Sequence, residues 1–451
     1  MSADAENLAL ATFHQVAQRV PAYRTLLEEA QIRPADIRYM RDFRTLPVLE
    51  KRSTFQRFDI AQLCIDGQLG RLGSVLTSSG YSGTFAYGLT GKERLQGAAK
   101  WTDDLMDPLF EVRSKSTLLI NCLPMGVKIA TQACTLAETS VRADMAVGLV
   151  QAFGRHFAQI IIVGEAAFIK HLLELGRKKG VDWHGLLVHL ILGEEPLAEN
   201  ARKYLEGLLG AEPGQPARGL VVSSMGVAEI GLNLFSEAPP ARTLVRLRRL
   251  LHENTEYRSA VLGDVGWVPN LFSYDPRRIF VEFDDDGRLI LTTLDPGLKI
   301  PLVRYATGDR GRCVRLPAEL HPKLEAAGIA VAEVESVPLV AIHGRGDHAL
   351  AGTIPVYPEA VKEGIYHDHD LAALTTANFR LIPGPERVRV RIQLSPGIKP
   401  DGDMEQKFSG AIGHYVSSPV EVACEAYERF GNGMALDYER KFPYLEQSVT
   451  A

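Results

Sequence analysis

Residues 160–192, IIIVGEAAFIKHLLELGRKKGVDWHGLLVHLIL, combine two patterns in a fixed order. Residues 160–163 are a continuous apolar run, which is typical of a strand buried on both faces of a sheet, and residues 188–192, ending at Gly193, resemble another such strand. Between them, residues 166–175 carry apolar side chains at helical spacing. Strand, helix and strand in succession predict parallel strands joined by a helical crossover, and therefore an α/β sheet.

The alternation continues outward in both directions. Residues 118–120 upstream and 220–222 downstream are again short apolar runs. Beyond residue 279, two short runs flank the acidic turn 284–287, which predicts a β-hairpin. Helical spacing dominates up to about residue 60, with a break at Pro21. We therefore predict a large N-terminal domain of α/β sheets with a β-rich end, followed by a separate small domain.

Length and composition limit the classes of function. A chain of 451 residues is longer than one ordinary core needs, and its formal net charge of −5 gives no electrostatic reason to bind nucleic acid or an anionic membrane. The first residues are acidic, unlike a secretory signal, and no apolar run reaches the roughly 20 residues that cross a bilayer. The five scattered cysteines contain no C-x-x-C pair, which indicates reduced thiols. We expect a cytoplasmic protein with neither nucleic acid nor membrane among its partners.

A loop rich in small polar residues follows the predicted strand at 72–76. Its residues are Thr77, Ser78, Ser79, Gly80, Tyr81, Ser82, Gly83 and Thr84. Two glycines let the backbone approach a ligand closely, and hydroxyl and N–H groups can converge there on phosphate oxygens. No lysine follows the second glycine, so this is not the G-x-x-x-x-G-K-[ST] loop. Taken alone, a plain flexible connection is the competing interpretation.

Five further motifs follow this loop in order. They are residues 190–197 (LILGEEPL), 224–229 (SMGVAE), 287–294 (GRLILTTL), 301–309 (PLVRYATGD) and 344–347 (GRGD). With them, the sequence resembles the superfamily of adenylate-forming acyl-CoA ligases, and within it the branch of phenylacetate-CoA ligases and acyl-protein synthetases. The resemblance runs from about Tyr23 to at least Pro358.

The resemblance implies a reaction and its cofactors. ATP would activate a small carboxylic acid, aromatic or cyclic by analogy with the branch, to an acyl-adenylate with release of pyrophosphate. The acyl group would then pass to CoA or to another acceptor. The implied cofactors are ATP and Mg²⁺, with CoA as one candidate acceptor. An amine, a carrier protein and a partner reductase are the other candidate acceptors, and a homodimer stays open.

The resemblance also assigns roles to residues. The loop 77–84 would hold the β- and γ-phosphates, Glu229 would place Mg²⁺ and take part in catalysis, and Lys441 would be the catalytic lysine. The other residues implied at the nucleotide site are Gly193, Glu194, Glu195, Pro196, Ser224, Met225, Gly226, Asp309 and Arg345. The implied domains are an adenylation domain at 1–343, a hinge at 344–347 with Asp347 as pivot, and a mobile α+β lid at 348–451. Residues 100–165 would line the acyl pocket.

Several departures from the family pattern keep alternatives open. Ala228 replaces a threonine whose hydroxyl is expected near the α-phosphate, Met225 replaces a tyrosine, and Phe85-Ala86 replaces the P-K after the loop. Lys441 lacks its usual flanking glycine, so a solvated surface charge is the competing interpretation. A degenerate homologue without turnover is therefore an alternative function. A phosphotransferase that uses the same loop and releases ADP is another.

Two other features invite functional interpretations that we do not favour. Residues 367–370 (HDHD) suggest a metal site, but a solvated polar turn is favoured. Residues 242–251 carry four arginines among leucines, and we predict a half-buried helix whose arginines face water or a partner.

Overall fold

The computed structural model describes residues 3–78, 85–124, 126–211, 218–237, 240–295, 297–350, 355–383, 387–430 and 443–445. The helices of this part are α1 (Ala3–Arg19), α2 (Pro21–Glu29), α3 (Met40–Phe43), α4 (Lys92–Phe110), α5 (Ala143–Phe153), α6 (Ala166–Lys178), α7 (Glu199–Leu208), α8 (Ala241–Glu253), α9 (Thr255–Leu262), α10 (His321–Ala326), α11 (Val331–Glu335), α12 (Pro358–Ile365), α13 (His369–Ala373) and α14 (Gly402–Gly413).

The strands are β1 (Leu72–Thr77), β2 (Tyr87–Gly91), β3 (Thr117–Asn121), β4 (Thr135–Glu138), β5 (Gln159–Gly164), β6 (Val188–Leu192), β7 (Val221–Val227), β8 (Gly231–Ser236), β9 (Asn270–Tyr274), β10 (Ile279–Phe283), β11 (Arg288–Thr293), β12 (Tyr305–Val314), β13 (Leu339–Arg345), β14 (Thr375–Ile382), β15 (Val388–Leu394) and β16 (Val420–Glu425).

One sheet of eleven strands organises the larger part of the chain, in the order β10-β11-β12-β13-β9-β8-β7-β6-β5-β3-β4. The strands from β4 to β7 are parallel, and every pair from β7 to β10 is antiparallel. The α/β fold class that the sequence predicts is therefore confirmed, including the hairpin of β10 and β11. The sheet changes from parallel to antiparallel pairing at β7.

The parallel half is buried because helices cover it. Every residue of β3 and β5 is buried, as the continuous apolar runs predict. The crossover helix α6 packs Phe168, Ile169 and Leu172 against this sheet in one apolar core. The spacing of apolar residues in 160–192 thus produces the strand–helix–strand unit directly.

The N-terminal helices pack under the antiparallel half. Phe13, Tyr23 and Phe43 make edge-to-face contacts in a core that includes Phe280 of β10. Arg304, which precedes β12, donates from Nη1 to the carbonyl oxygens of residues 44 and 46, each at 2.5 Å. This buried guanidinium fastens the start of the chain to the β-rich end.

The residues after Arg345 form a smaller α+β part with its own sheet, β14-β15-β16, and we call them the C-terminal part. Its apolar residues join the core that covers the parallel half. Glu363 of α12 also reaches across to α7, where its carboxylate accepts hydrogen bonds from the backbone N–H groups of Glu199 (2.7 Å) and Asn200 (2.9 Å). A carboxylate from the C-terminal part therefore caps a helix of the larger part. The hinge at 344–347 stays a prediction.

A cluster of buried charges lies where α7 meets β7. Arg202 donates to Glu199 at 3.0 Å, to both carboxylate oxygens of Glu237 (2.5 and 3.0 Å), and to the carbonyl oxygen of Val221. Glu237 also accepts from the backbone N–H of Ser223 at 2.7 Å. Burial alone would lower the pKa of Arg202, but Glu199 and Glu237 raise it above its ordinary value. The cluster fixes both the position and the direction of β7.

The arginine-bearing helix is more deeply buried than the sequence predicts. Arg248 of α8 is fully buried and donates to the carbonyl oxygens of Leu197, Val268 and Pro269. The prediction that the arginines of this helix face water or a partner is therefore wrong for Arg248, because buried carbonyl groups and Glu199 satisfy its charge.

Part of the 367–370 stretch caps a short helix. Asp368 is the N-cap of α13 and accepts from the backbone N–H of Asp370 at 2.8 Å. In the part of the chain that the structure describes, no group of three or more His, Cys, Asp and Glu side chains is arranged to hold a metal ion. Nor does any helix there combine the length and apolarity needed to span a bilayer.

We expect Arg202→Met to lower the free energy of unfolding by about 3–5 kcal/mol, because it leaves Glu199 and Glu237 buried without their cation. Urea unfolding followed by circular dichroism measures this loss. Lys203→Met removes the partly exposed ion pair with Glu253 one position along the same helix, and we expect a loss below about 1 kcal/mol. Equal losses in the two variants would contradict the role of the buried cluster.

Candidate active site

A cavity of about 1120 Å³ lies at the change from parallel to antiparallel pairing. It is bordered by the ends of β5, β6 and β7, the β1–β2 hairpin, α4, and the facing strands β12 and β13. The carboxyl ends of parallel strands are where open α/β sheets bind ligands. The volume is slightly above the range of roughly 300–1,000 Å³ that is common for small-molecule sites.

Most residues that the sequence assigns to the nucleotide site line this cavity. They are Thr77, Ser78, Gly193, Glu194, Glu195, Pro196, Ser224, Met225, Gly226, Glu229, Asp309 and Arg345. Ser79, Gly80, Tyr81, Ser82, Gly83, Thr84 and Lys441 lie outside the described residues. Asp347 is not among the lining residues, although its carboxylate accepts from Arg345 at 3.2 Å. The chemical roles of these residues stay predictions.

Ser78, near the start of the predicted phosphate loop, is hydrogen-bonded to Ala86, which lies beyond its end. Its N–H donates to the carbonyl oxygen of Ala86, and its hydroxyl accepts from the N–H of Ala86, both at 2.9 Å. Lys51, from the segment before β1, donates to the same hydroxyl at 3.3 Å and lines the cavity. The Lys51 ammonium therefore lies beside Ser78, although no lysine directly follows the loop in sequence.

A glycine lets the β1–β2 hairpin lie against the turn between β7 and β8. A Cβ added at Gly88 would lie 2.2 Å from the carbonyl oxygen of Ala228, far closer than any real contact. Only a hydrogen atom fits between the two backbones. Gly88 therefore sets the distance between the hairpin and Glu229, which both border the cavity.

Tyr305 holds the Glu229 side chain. The phenol oxygen of Tyr305 donates to Glu229 Oε1 at 2.5 Å, and both residues are almost fully buried. Burial and the negative charge of Glu229 raise the pKa of Tyr305 far above its ordinary value, so the phenol keeps its proton. Tyr305 belongs to the 301–309 motif, whose tyrosine thus orients the carboxylate predicted to place Mg²⁺.

Asp309 and Arg345 face each other across β12 and β13 as register partners. The Arg345 guanidinium lies over Gly308, where an added Cβ would lie 2.9 Å from Nη2, and Gly308 adopts φ +89°. Burial alone would lower the pKa of Arg345, but Asp309 and Asp347 raise it above its ordinary value. The backbone angle favours glycine between the threonine and the aspartate, and a larger residue would also displace the guanidinium.

The turn after β6 carries Glu194 and Glu195. Glu194 has φ +71°, and α7 begins only at Glu199, so this pair belongs to the turn and not to the first turn of the helix. Glu195 accepts from Lys362 Nζ at 2.6 Å and from the Tyr444 hydroxyl. A carboxylate predicted near adenine is therefore also in contact with the C-terminal part.

Two more carboxyl groups lie close to Glu195: Glu359 is buried and Glu165 is half-buried. Burial and the charge of Glu195 raise the pKa of Glu165, the N-cap of α6, to about 7. Burial also raises the pKa of Glu359 to about 7, with smaller contributions from Glu195 and Asp309, while Lys362 opposes the shift. Glu359 lines the cavity, and its Oε2 has no hydrogen-bond partner within the described residues.

The carboxylates at the cavity suit one kind of metal site. Mg²⁺ bound with a nucleotide usually takes one or two protein carboxylates, with phosphate and water oxygens completing the octahedron. Glu229, oriented by Tyr305 at the cavity wall, supplies one such carboxylate. The residues present therefore fit a nucleotide-bound Mg²⁺ better than a metal held by protein alone.

The end of the cavity beside α4 is apolar. Leu95, Ala98, Thr102, Leu105 and Leu109 recur at helical spacing along the lining. Other lining residues between positions 100 and 165 are Trp101, Met106, Phe110, Leu123, Gly126, Val127, Lys128, Ile129, Ala130, Glu138 and Val163. The region expected to form the acyl pocket thus does border the cavity, together with residues of β7 and β8.

Sequence reasoning gave no role to Lys51, Tyr305, Glu359, Lys362 or Tyr444. Tyr305 could have been found, because it belongs to a quoted motif. Lys51 follows the acidic Glu50 in a polar segment and carries no pattern of its own. Glu359 and Tyr444 reach the cavity, and Lys362 reaches Glu195, only through packing of the C-terminal part.

Comparison with solved structures shows a known fold. The structure of 2-hydroxyisobutyryl-CoA ligase in the postadenylation state, in complex with R3-HIB-AMP, matches with a TM-score of 0.67 and 14% identity over 99% of this chain and 90% of the ligase. Its open conformation with 2-HIB-AMP and CoA gives 0.57 and 14% identity over 98% and 91%. Its thioesterification state gives 0.54 and 15% identity over 99% and 90%. No family model and no curated protein matches the sequence. The likeness confirms the fold that the resemblance implied.

We expect Gly88→Ala to push the β1–β2 hairpin away from Ala228, because the new methyl carbon would overlap the carbonyl oxygen. Faster amide hydrogen exchange in β1 and β2 and a lower melting temperature would report this displacement. Gly97→Ala adds the same methyl group to α4, at a lining position with nothing within 4 Å. If both variants exchange like the wild type, Gly88 does not set the position of the hairpin.

We expect the free energy of unfolding to fall as the pH rises, because Glu359 loses its proton. The ordinary pKa of this carboxyl is 4.5 and its pKa in the folded protein is about 7, so the stabilising proton is fully bound below pH 4.5 and lost as the pH rises through 7. Relative to Glu359→Gln, the wild type should lose about 1.4 kcal/mol per pH unit between roughly pH 5 and 7. Urea unfolding at several pH values measures the difference. Glu319→Gln, at an exposed site, is the control, and parallel curves for wild type and Glu359→Gln would contradict the expectation.

Proposed function

We propose that this protein uses ATP to activate a small carboxylic acid as an acyl-adenylate and then passes the acyl group to an acceptor. The observation that carries the proposal is the shared cavity: residues from separate stretches of sequence, all assigned by resemblance to one nucleotide site, line a single cavity of about 1120 Å³. The likeness of the whole fold to a ligase solved with an acyl-AMP supports the same type of reaction.

The chemistry requires positive charge and fixed donors in this cavity. A carboxylate oxygen attacks the α-phosphorus of ATP, and the bond from that phosphorus to the bridging oxygen of pyrophosphate breaks. Lys51 and the loop 77–84 would hold the β- and γ-phosphates. Asp309 would accept hydrogen bonds from the ribose hydroxyls, with Arg345 beside it. These groups would bring the anionic reactants together and keep them in line.

Glu229 would hold Mg²⁺ together with the ATP phosphates, and the metal would neutralise phosphate charge. Tyr305 keeps the carboxylate in one orientation, so no side-chain freedom is lost when the nucleotide binds. Ala228 offers no hydroxyl to the α-phosphate, and this departure from the family pattern is a reason to test turnover directly.

The acid is proposed to be aromatic or cyclic, as the branch resembled implies. The apolar wall along α4, with Trp101, Leu105 and Met106, supports an acid whose acyl group is bulky and apolar. Arg278, which lies over the Trp101 ring at 4.6 Å, is a cation at this wall.

CoA is the acceptor we propose, since the ligase of similar fold was solved with CoA. The C-terminal part would take one arrangement for adenylation and another for transfer, with Asp347 as the pivot. The higher TM-score with the postadenylation state than with the thioesterification state supports assigning the present arrangement to the first step. The cytoplasmic location and the homodimer stay predictions.

The experiment is acid-dependent ATP–pyrophosphate exchange over a panel of aromatic and aliphatic acids. We expect exchange with at least one acid, and a loss of about 10²-fold or more in Asp309→Asn, Lys51→Met and Lys441→Ala, because each removes a contact to a charged reactant. Asp285→Asn makes the same change as Asp309→Asn at an exposed turn and should behave as wild type.

The products separate the alternatives. AMP and pyrophosphate fit the proposal, whereas ADP would indicate a phosphotransferase. Transfer to CoA or to an amine, assayed with the acid that supports exchange, identifies the class of acceptor. Measurable ATP binding without exchange on any acid would overturn the proposal in favour of a nucleotide-binding homologue without turnover.

A further inference from the structure

Three side chains from distant parts of the chain meet at the wall of the cavity. Glu195 Oε2 accepts from Lys362 Nζ at 2.6 Å and from the hydroxyl of Tyr444. The Lys362 ammonium also lies 4.8 Å from the centre of the Tyr444 ring. Glu195 belongs to the turn after β6, Lys362 to α12, and Tyr444 to the described segment 443–445. We call these three residues the latch.

The three side chains of the latch are largely shielded from water. The side chains of Lys362 and Glu195 are 12% and 10% exposed, and Tyr444 is 5% exposed. Burial alone would lower the pKa of Lys362, but Glu195 and Glu359 raise it, so the ammonium stays charged. Burial and Glu195 raise the pKa of Tyr444 well above its ordinary value, so the phenol remains a donor. Removing Lys362 or the Tyr444 hydroxyl would take one donor away from the buried Glu195 carboxylate, which costs free energy.

Backbone contacts join the latch to the C-terminal sheet. The N–H of Leu381 in β14 donates to the carbonyl oxygen of Tyr444 at 2.7 Å, and Leu381 forms a bridge with Leu445. Arg380 donates to the carbonyl oxygen of Pro443. Segment 443–445 is thus fixed between the C-terminal sheet on one side and Glu195 on the other.

We propose that Glu195, Lys362 and Tyr444 are positioning residues for the adenylation step, and that they separate when the C-terminal part takes its second arrangement for acyl transfer. This inference rests on the proposed function. The latch joins the cavity wall to both α12 and the C-terminal segment, so it is intact only in the arrangement seen here. Breaking it should therefore slow adenylation and leave transfer unimpaired.

The chain contains a matched cluster that serves as a control. Glu174 accepts from Lys170 Nζ at 2.7 Å and from the Tyr204 hydroxyl at 2.5 Å, and the Lys170 ammonium lies 5.5 Å from the centre of the Tyr204 ring. Lys170 also donates to the carbonyl oxygen of Thr375 in β14. This cluster has the same residue types and also touches the C-terminal part, but none of its three members lines the cavity.

The test compares Tyr444→Phe with Tyr204→Phe, each of which removes one phenol oxygen from a buried Tyr–Glu pair. ATP–pyrophosphate exchange, with the acid identified from the panel, measures adenylation. Single-turnover transfer from acyl-adenylate that has been isolated and added back measures the second step. Amide hydrogen exchange of the peptide that contains Leu381 reports docking of segment 443–445 without any ligand.

We expect Tyr444→Phe to lower kcat for exchange about 10- to 100-fold, the size expected for a lost hydrogen bond to a charged group, with KM for ATP within about two-fold of wild type. Transfer should proceed at the wild-type rate or faster, and the Leu381 amide should exchange faster. Tyr204→Phe should leave the ratio of the two rates and the Leu381 amide unchanged. Lys362→Met, which removes the cation of the same latch, should repeat the Tyr444→Phe pattern.

Each other outcome overturns the inference. Wild-type kcat in Tyr444→Phe, equal slowing of adenylation and transfer, or the same ratio change in Tyr204→Phe would each show that the latch has no specific positioning role. Absence of exchange in the wild type would overturn the proposed function, and the positioning role with it. Exchange in the wild type that is unaffected by Tyr444→Phe overturns the positioning role alone.

Discussion

The buried ion cluster around Arg202 is the constraint on which the rest of the site depends. A guanidinium without access to water must have its charge matched within the protein, and here Glu199 and Glu237 match it from two different elements. Arg202 and Glu237 are also hydrogen-bonded to the backbone of β7. Arg202 donates to the Val221 carbonyl oxygen, and Glu237 accepts from the Ser223 N–H group. The strand that carries Ser224, Met225 and Gly226 therefore has one position relative to α7.

That strand is also where the sheet changes its pairing. On one side, β6 runs parallel to β7, and on the other side β8 runs antiparallel. The change leaves a crevice in which the turn after β6 and the turn after β7 open side by side, and Glu195 and Glu229 come from these two turns. The antiparallel half adds Asp309 and Arg345 from facing strands. Topology, more than any single motif, thus brings these carboxylates and the arginine to one cavity.

The sequence could predict what depends on neighbouring residues. Residues 188–192 are β6, and the turn 284–287 joins β10 to β11, because apolar runs and turn residues act locally. The resemblance of short motifs assigned further residues to a nucleotide site, and those of them that the structure describes line one cavity. The burial of Arg248 could not be predicted, since its partners belong to other elements. Glu195 and Tyr444 lie 249 positions apart, and neither residue carries a local pattern that indicates the other. The role of Lys51 at the loop was hidden for the same reason.

The capping of α7 by Glu363 has a consequence for how this protein can change over evolutionary time. The first N–H groups of α7 are satisfied by a side chain from the other side of the interface, so the two parts of the chain share one structural element. Recombination that brought in a foreign C-terminal part would have to supply a carboxylate at the same place, or α7 would begin with unsatisfied amides. The two parts are therefore expected to be inherited as a unit, and Glu363 to vary only together with the start of α7.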